Sequence, residues 1–163
     1  MIGDVNESEY RGQIAMFHGF SQSQDVFFEM ALQFALNGFL IHLIDFEGYG
    51  YSGGPRVSGL SIGQMHSQIT SLLTQARPDL PLFILAHSMG NLILNTYLHL
   101  NKEVAAKLAG VILSAPFFGI PDFANFDAVK KQMCHLLKGV FENFALTSGM
   151  PLHKVTRNKQ YLR

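Results

Sequence analysis

Ile84-Leu85-Ala86-His87-Ser88-Met89-Gly90-Asn91-Leu92-Ile93-Leu94 is the stretch that decides how this chain folds. An apolar, strand-like run enters a tight turn of small residues with Ser88 at its apex, and a long apolar helical run leaves it. That is the layout of a nucleophile elbow, in which the turn lifts a serine hydroxyl clear of the backbone at the C-terminal end of a parallel strand. The N–H of the next residue, Met89, is then placed to hold an oxyanion. A small-x-Ser-x-small match on its own is common, and a plain surface serine is the bland alternative. The strand before it and the helix after it make this match specific.

Working outward, three further strand-like runs appear at 13–17, 40–44 and 111–115, beside 82–86. All are nearly continuous apolar runs, as expected for strands covered on both faces. Helical patterns separate them. Residues 25–37 carry Val26, Phe27, Met30, Ala31, Phe34 and Ala35 and stop at Gly38. Residues 62–76 open with Ser61 and Gln64 spaced as a capping box, present Ile62, Met65, Ile69, Leu72, Leu73 and Ala76 on one face, and end at Pro78. Residues 89–100 are apolar nearly all round, the pattern of a buried helix. Strand and helix alternate every ~30 residues, the size of a βαβ unit, so the expected class is α/β with a parallel sheet sandwiched by helices.

The 163 residues are 48% apolar and 15% charged with zero formal net charge, and they suit one domain. No basic stripe points to nucleic acid. No apolar run reaches the ~18 residues of a membrane span, and the polar N-terminus does not read as a signal peptide. The single cysteine, Cys134, forbids an internal disulfide. It reads as a core residue rather than as a thiolate partner of His135. A cytoplasmic protein is the expectation.

Two clusters join Ser88 at the C-terminal ends of the strands, where open parallel sheets bind ligands. Phe17-His18-Gly19-Phe20 follows the first strand, and a His-Gly turn there can aim the Phe20 N–H at the same oxyanion as Met89. His18 reads as a brace for its own loop rather than as a general base. Asp45-Phe46-Glu47-Gly48-Tyr49-Gly50-Tyr51-Ser52-Gly53-Gly54-Pro55-Arg56 follows the second strand. Its glycines permit a sharply folded loop. It lacks the Lys-Ser/Thr of a phosphate loop, so Asp45 and Arg56 read as ties within a loop that supports the elbow from behind.

Together these clusters resemble the α/β-hydrolase fold, and more closely its monoacylglycerol lipase-like (serine aminopeptidase-like) branch. That branch has a His-Gly oxyanion loop, an Asp-x-x-Gly-x-Gly-x-Ser-x-Gly loop and a Gly-His-Ser-Met-Gly-Gly elbow. Here they correspond to His18-Gly19, Asp45 to Gly54, and Ala86 to Asn91. Leu113-Ser114-Ala115-Pro116 is similar to the strand that precedes the branch's cap, and Thr156-Arg157-Asn158-Lys159 to a segment of that cap. The resemblance implies a partial hydrolase core over 1–116 and the beginning of a cap or lid over 117–163. The amphipathic pattern at 127–145 would be a lid helix, with peripheral membrane contact as one use.

The resemblance further implies a serine ester hydrolase of lipid-like carboxylic esters, of the monoacylglycerol or lysophospholipid type. Ser88 would be the nucleophile and the Phe20 and Met89 N–H groups the oxyanion donors. His18, Gly19, Asp45 and Arg56 would support the loops, and neither metal nor organic cofactor would be needed. Phe17, Phe20, Phe117 and Phe118 would favour an acyl chain. Amide cleavage and acyl transfer use the same site and stay open.

The sequence departs from the branch at three points. Ala86 and Asn91 replace glycines of the elbow. Ala86 adds a tolerable methyl, and Asn91 brings a polar side chain expected to narrow or reshape the acyl pocket. The branch's acid and histidine follow the cap, and the chain stops inside the cap-like stretch. They are therefore expected beyond Arg163, an isolated chain is expected to be inactive, and Asp122 with His135 or His153 is a weaker local substitute. Two strands before the oxyanion loop also lack counterparts. The strands at 40–44 and 111–115 should then present apolar edges open to pairing with another chain. A non-catalytic lipid-binding or protein-interaction module is the alternative function.

Overall fold

The structure, a computed structural model, describes residues 10–56 and 61–116. Four strands, β1 (Gly12–Phe17), β2 (Phe39–Ile44), β3 (Leu82–His87) and β4 (Gly110–Ser114), form one sheet in the order β2-β1-β3-β4, all parallel. Each lies within a residue of its sequence-derived run. β1 is buried along its whole length because it has a strand on either side and helices above and below.

The helices are α1 (Phe28–Leu36), α2 (Ile62–Leu73), α3 (Met89–Leu100) and α4 (Lys102–Lys107). Alternation along β1 sends its side chains to two cores. Ile14 and Met16 pack with Phe27, Ala31 and Leu85 on the α1 side. Ala15 and Phe17 pack with Met65, Ile69, Ile93 and Leu94 on the side of α2 and α3. Both arms of the capping box of α2 form: Ser61 Oγ accepts from the Gln64 N–H at 3.2 Å, and Gln64 Oε1 accepts from the Ser61 N–H at 2.9 Å.

The structure corrects two details. Residues 25–37 are not one helix, because Gln24–Phe27 forms a 3-10 turn before α1 begins. A 3-10 turn has three residues rather than 3.6, so the apolar stripe shifts phase. Phe27 and Ala31 are buried, while Val26 and Met30 are exposed, as is the row Phe28, Leu32, Leu36. Helix α4 has no sequence-derived counterpart. It is one and a half turns long, and its Val104 packs against the core with Leu108 just beyond it, too short a pattern to show a period.

Parallel register aligns the strand ends. Phe17 pairs with Ile44 and with Ala86, and His87 pairs with Ser114. The turns after β1, β2, β3 and β4 therefore leave the same edge of the sheet, which gathers His18-Gly19, Asp45, Ser88 and Ala115. Asp122, Cys134, His135, His153, Phe117, Phe118 and the helix expected at 127–145 lie outside the described residues.

Candidate active site

Ser88 joins β3 to α3 with φ +50° and ψ −114°, a backbone conformation that costs a non-glycine residue about 1–3 kcal/mol. Three contacts hold it. The Ser88 N–H donates to the Ser114 carbonyl at 3.0 Å, and the Ser88 carbonyl accepts from the Asn91 N–H at 2.9 Å. Gly90 lets α3 start hard against β1, where a Cβ would sit 2.5 Å from the Phe17 carbonyl oxygen. Ser88 is half-buried, and its hydroxyl makes no hydrogen bond among the described residues.

The His18-Gly19 turn lies directly against this apex. A Cβ built on Gly19 would be 3.1 Å from the Ser88 Cβ. The turn is pinned by Gln22, whose Oε1 accepts from the Gly19 N–H at 2.9 Å while its own N–H donates to the Gly19 carbonyl at 3.3 Å. Among the described residues, neither the Phe20 nor the Met89 N–H donates to a protein acceptor. The Met89 N–H is the first of α3 and points out of the helix with the positive end of its dipole. Both N–H groups are thus uncommitted among the described residues, one on the residue after Ser88 and the other on the residue after Gly19.

His18 is fully buried and fixed at both nitrogens. Its Nδ1 lies 2.8 Å from the Gly19 carbonyl, so Nδ1 carries the proton, and its Nε2 accepts from the Phe46 N–H at 3.1 Å. Burial pushes the imidazole below its usual range, against weaker opposing pulls from the Gly19 carbonyl and the Asp45 carboxylate. A neutral ring locked in this way joins the first loop to the second and has no nitrogen left to take a proton from Ser88. His87, next to Ser88 in sequence, shares a hydrogen bond through Nδ1 with Ser114 Oγ at 3.1 Å, and burial lowers its pKa too.

The glycine-rich loop is organised by Asp45. Its Oδ1 accepts from the Gln24 N–H at 2.6 Å and its Oδ2 from the Tyr51 N–H at 2.9 Å, while Ser52 Oγ donates to its carbonyl at 2.6 Å. Gly50, at φ +47°, leaves the space that the carboxylate fills, since a Cβ there would run into Asp45. Exposed Arg56 donates to the Gly50 carbonyl at 2.7 Å. The loop carries Tyr49 under the site: its ring lies 5.1 Å from His18 and 6.4 Å from Phe20, and its hydroxyl is 3.7 Å from Met89 Sδ.

Two site expectations change. Phe17 is completely buried in the core beneath the sheet edge and cannot line a pocket; of the described phenylalanines singled out earlier, only Phe20 is exposed at the apex. Asn91 is also completely buried, and its Nδ2 runs to the end of β4, donating to the carbonyls of Ser114 at 2.8 Å and Ala115 at 3.4 Å. Gln22 carries no sequence motif, and the bonds of Ser114 and the bonding direction of Asn91 emerge only in three dimensions. An open cleft of about 800 Å³ lies elsewhere, beside the β2 edge among Ile44, Asp45, Glu47, Gln68 and Ser71; Ser88 does not line it. Among the described residues no three His, Cys, Asp or Glu side chains gather as a metal site.

The family description "serine aminopeptidase, S33" matches residues 8–163. The chain belongs to this family. Among its relatives, a monoacylglycerol lipase of Mycolicibacterium smegmatis is 27% identical over 82% of this chain and 49% of its own length. A monoglyceride lipase of Saccharomyces cerevisiae is 23% identical over 94% of this chain and 51% of its own length. The crystal structure of Paleococcus ferrophilus monoacylglycerol lipase superposes with a TM-score of 0.71 at 20% identity, covering 93% of this chain and 56% of that one. This shared fold is the α/β-hydrolase fold that the strand order displays. The chain spans about half the length of the curated relatives it matches.

Proposed function

We propose that this chain carries the nucleophile and oxyanion half of a serine ester hydrolase acting on lipid-like carboxylic esters. The observation that carries the reading is Ser88 itself, whose hydroxyl has no partner among the described residues and sits at a strained apex between β3 and α3 with the Gly19 turn against it. The lipid-like substrate class comes from the named activities of the relatives and from exposed Phe20 beside the apex.

In this reading Ser88 Oγ attacks the ester carbonyl carbon, and the carbonyl electron pair moves onto oxygen, where the Phe20 and Met89 N–H groups receive it. The Ser88 proton passes to a histidine base and from there to the departing alkoxide as the C–O bond breaks. Water then attacks the acyl-serine, gives its proton to the same base, and releases the carboxylic acid and the free serine. His18 and His87 are committed to other partners, so the base and its orienting acid come from sequence outside the described residues. Residues 1–116 form the core in this reading and 117–163 the start of a cap. A cytoplasmic location accords with the lone cysteine, and no helix among the described residues is long and apolar enough to cross a membrane.

A second reading, a module that binds lipid or another chain without cutting, draws on the exposed β4 residues Val111, Ile112 and Leu113. Fluorophosphonate labelling and monoacylglycerol turnover by the protein as made in its own cells separate the two readings. Ser88→Ala should abolish labelling and lower turnover by up to about a million-fold, the usual cost of losing a serine nucleophile. Full turnover in Ser88→Ala refutes the hydrolase. A native product of these 163 residues alone that is never labelled favours the binding module.

A further inference from the structure

Asn91 is a buried amide whose burial needs a reason. Its Oδ1 has no partner among the described residues, and an unpaired buried polar atom is unfavourable. A glycine or alanine in this position would avoid that cost. What the amide makes instead is a two-point bond to the end of β4, from Nδ2 to the Ser114 and Ala115 carbonyls. The Ser114 carbonyl is the same atom that accepts the Ser88 N–H at 3.0 Å. Ala115, the second acceptor, has φ +44°, so the chain leaves β4 in a left-handed turn that needs restraint. His87 adds a third tie through Ser114 Oγ.

These contacts form a closed circuit. The Ser88 N–H reaches Ser114, Asn91 Nδ2 reaches the same carbonyl from the first turn of α3, and the Asn91 N–H returns to the Ser88 carbonyl at 2.9 Å. The two peptide groups that flank the strained Ser88 are therefore held by the β4 end and by the Asn91 backbone N–H, and the Asn91 side chain ties these two anchors to each other. We infer that Asn91 is a positioning residue for Ser88: it clamps the elbow to β4 through the Ser114 carbonyl and keeps the serine backbone in its raised conformation. This inference rests on the reading of Ser88 as nucleophile. It places the effect of Asn91 on the rate of attack rather than on the shape of the substrate pocket.

The test uses the protein as made in its own cells and compares the parent with Asn91→Ala, which deletes the clamp, and Asn91→Asp, which keeps the side-chain volume and replaces the donor with an acceptor. Hydrogen exchange is followed by mass spectrometry in peptides covering 86–91 and 113–116, with 12–17 as a remote control. Both variants should exchange at least tenfold faster at the two elbow peptides and unchanged at the control. The fluorophosphonate labelling rate should fall about tenfold, and kcat should fall similarly with KM within twofold for short- and long-chain esters alike. Unchanged exchange at the elbow overturns the inference, as does faster exchange everywhere, which would mark a structural role only. Local loosening with an unchanged labelling rate, or a change confined to KM for long esters, overturns it too. If the parent is not labelled at all, the hydrolase reading has failed, and the exchange data alone then judge the clamp.

Discussion

Gly90 and Phe17 touch where helix α3 begins over the end of β1: a Cβ on residue 90 would lie 2.5 Å from the Phe17 carbonyl oxygen and 2.9 Å from that of His18. This contact sets the height of the elbow over the sheet and keeps the His18-Gly19 turn beside Ser88. Gly90→Ala should therefore push α3 off β1, costing about 2 kcal/mol, as overpacking against rigid backbone does. The same shift should slow fluorophosphonate labelling more than tenfold, because it moves the hydroxyl relative to the two N–H groups proposed as oxyanion donors. Chemical denaturation and labelling rates check the two effects, and a variant equal to the parent in both would refute the contact's importance.

At the opposite end of β1, buried Gln13 is a clasp. Its Nε2 donates to the carbonyls of Arg77 at 2.6 Å and Leu80 at 3.1 Å, while its Oε1 accepts from the Arg77 N–H at 2.9 Å and faces His42 Nε2 at 3.1 Å. Gln13→Leu removes these hydrogen bonds between a buried side chain and the half-buried 77–80 turn and should cost about 3 kcal/mol. The clasp lies a strand's length, roughly 17 Å, from Ser88. Labelling of the folded fraction should be unchanged, and a loss of labelling with intact stability would contradict this division of roles.

Among the described residues, three histidines make stability depend on pH. Burial lowers the pKa of His18, His42 and His87 below the ordinary value of 6.5. The unfolded chain then takes up protons near pH 6.5 while the folded chain still resists them. Their contribution is complete above that value and is lost as pH falls toward the folded pKa values. Each differential proton is worth about 1.4 kcal/mol per pH unit. The melting temperature should be flat from pH 8 to pH 7 and fall between pH 6.5 and pH 5. His18→Gln should flatten that slope, and a melting temperature that rises on acidification would contradict the assignment.

The apolar row Phe28, Leu32 and Leu36 on α1 and the β4 residues Val111, Ile112 and Leu113 are all exposed, and among the described residues no strand pairs with the outer edge of β4. Apolar surface beside an open strand edge drives association. These 163 residues expressed alone should therefore self-associate at micromolar concentration in light scattering. The pair Leu32→Glu and Ile112→Lys should shift them toward monomer. A parent chain that is monomeric and unfolds in one cooperative transition would refute this expectation.

Much of the fold was legible because its signals are local. Continuous apolar runs marked all four strands to within a residue, Ser61 and Gln64 marked the start of α2, and the elbow showed itself in eleven consecutive residues. The 3-10 turn before α1 was not legible, because a change of helical pitch leaves no mark in composition. Nor was Phe17's place in the core. A phenylalanine at the end of a strand reads the same whether it faces a pocket or the helices beneath it.

By itself, then, the sequence determined the elements, their α/β alternation and the serine at the apex of a strand-turn-helix, since each depends on residues within a few positions of one another. Only the tertiary structure decided that β1 lies between β2 and β3, that His18 is a neutral brace bonded to Phe46, and that Asn91 and Ser88 share the Ser114 carbonyl. Those outcomes join residues 23 to 69 positions apart. Whether such groups meet depends on strand order and register, which hydrophobic burial selects for the whole sheet at once.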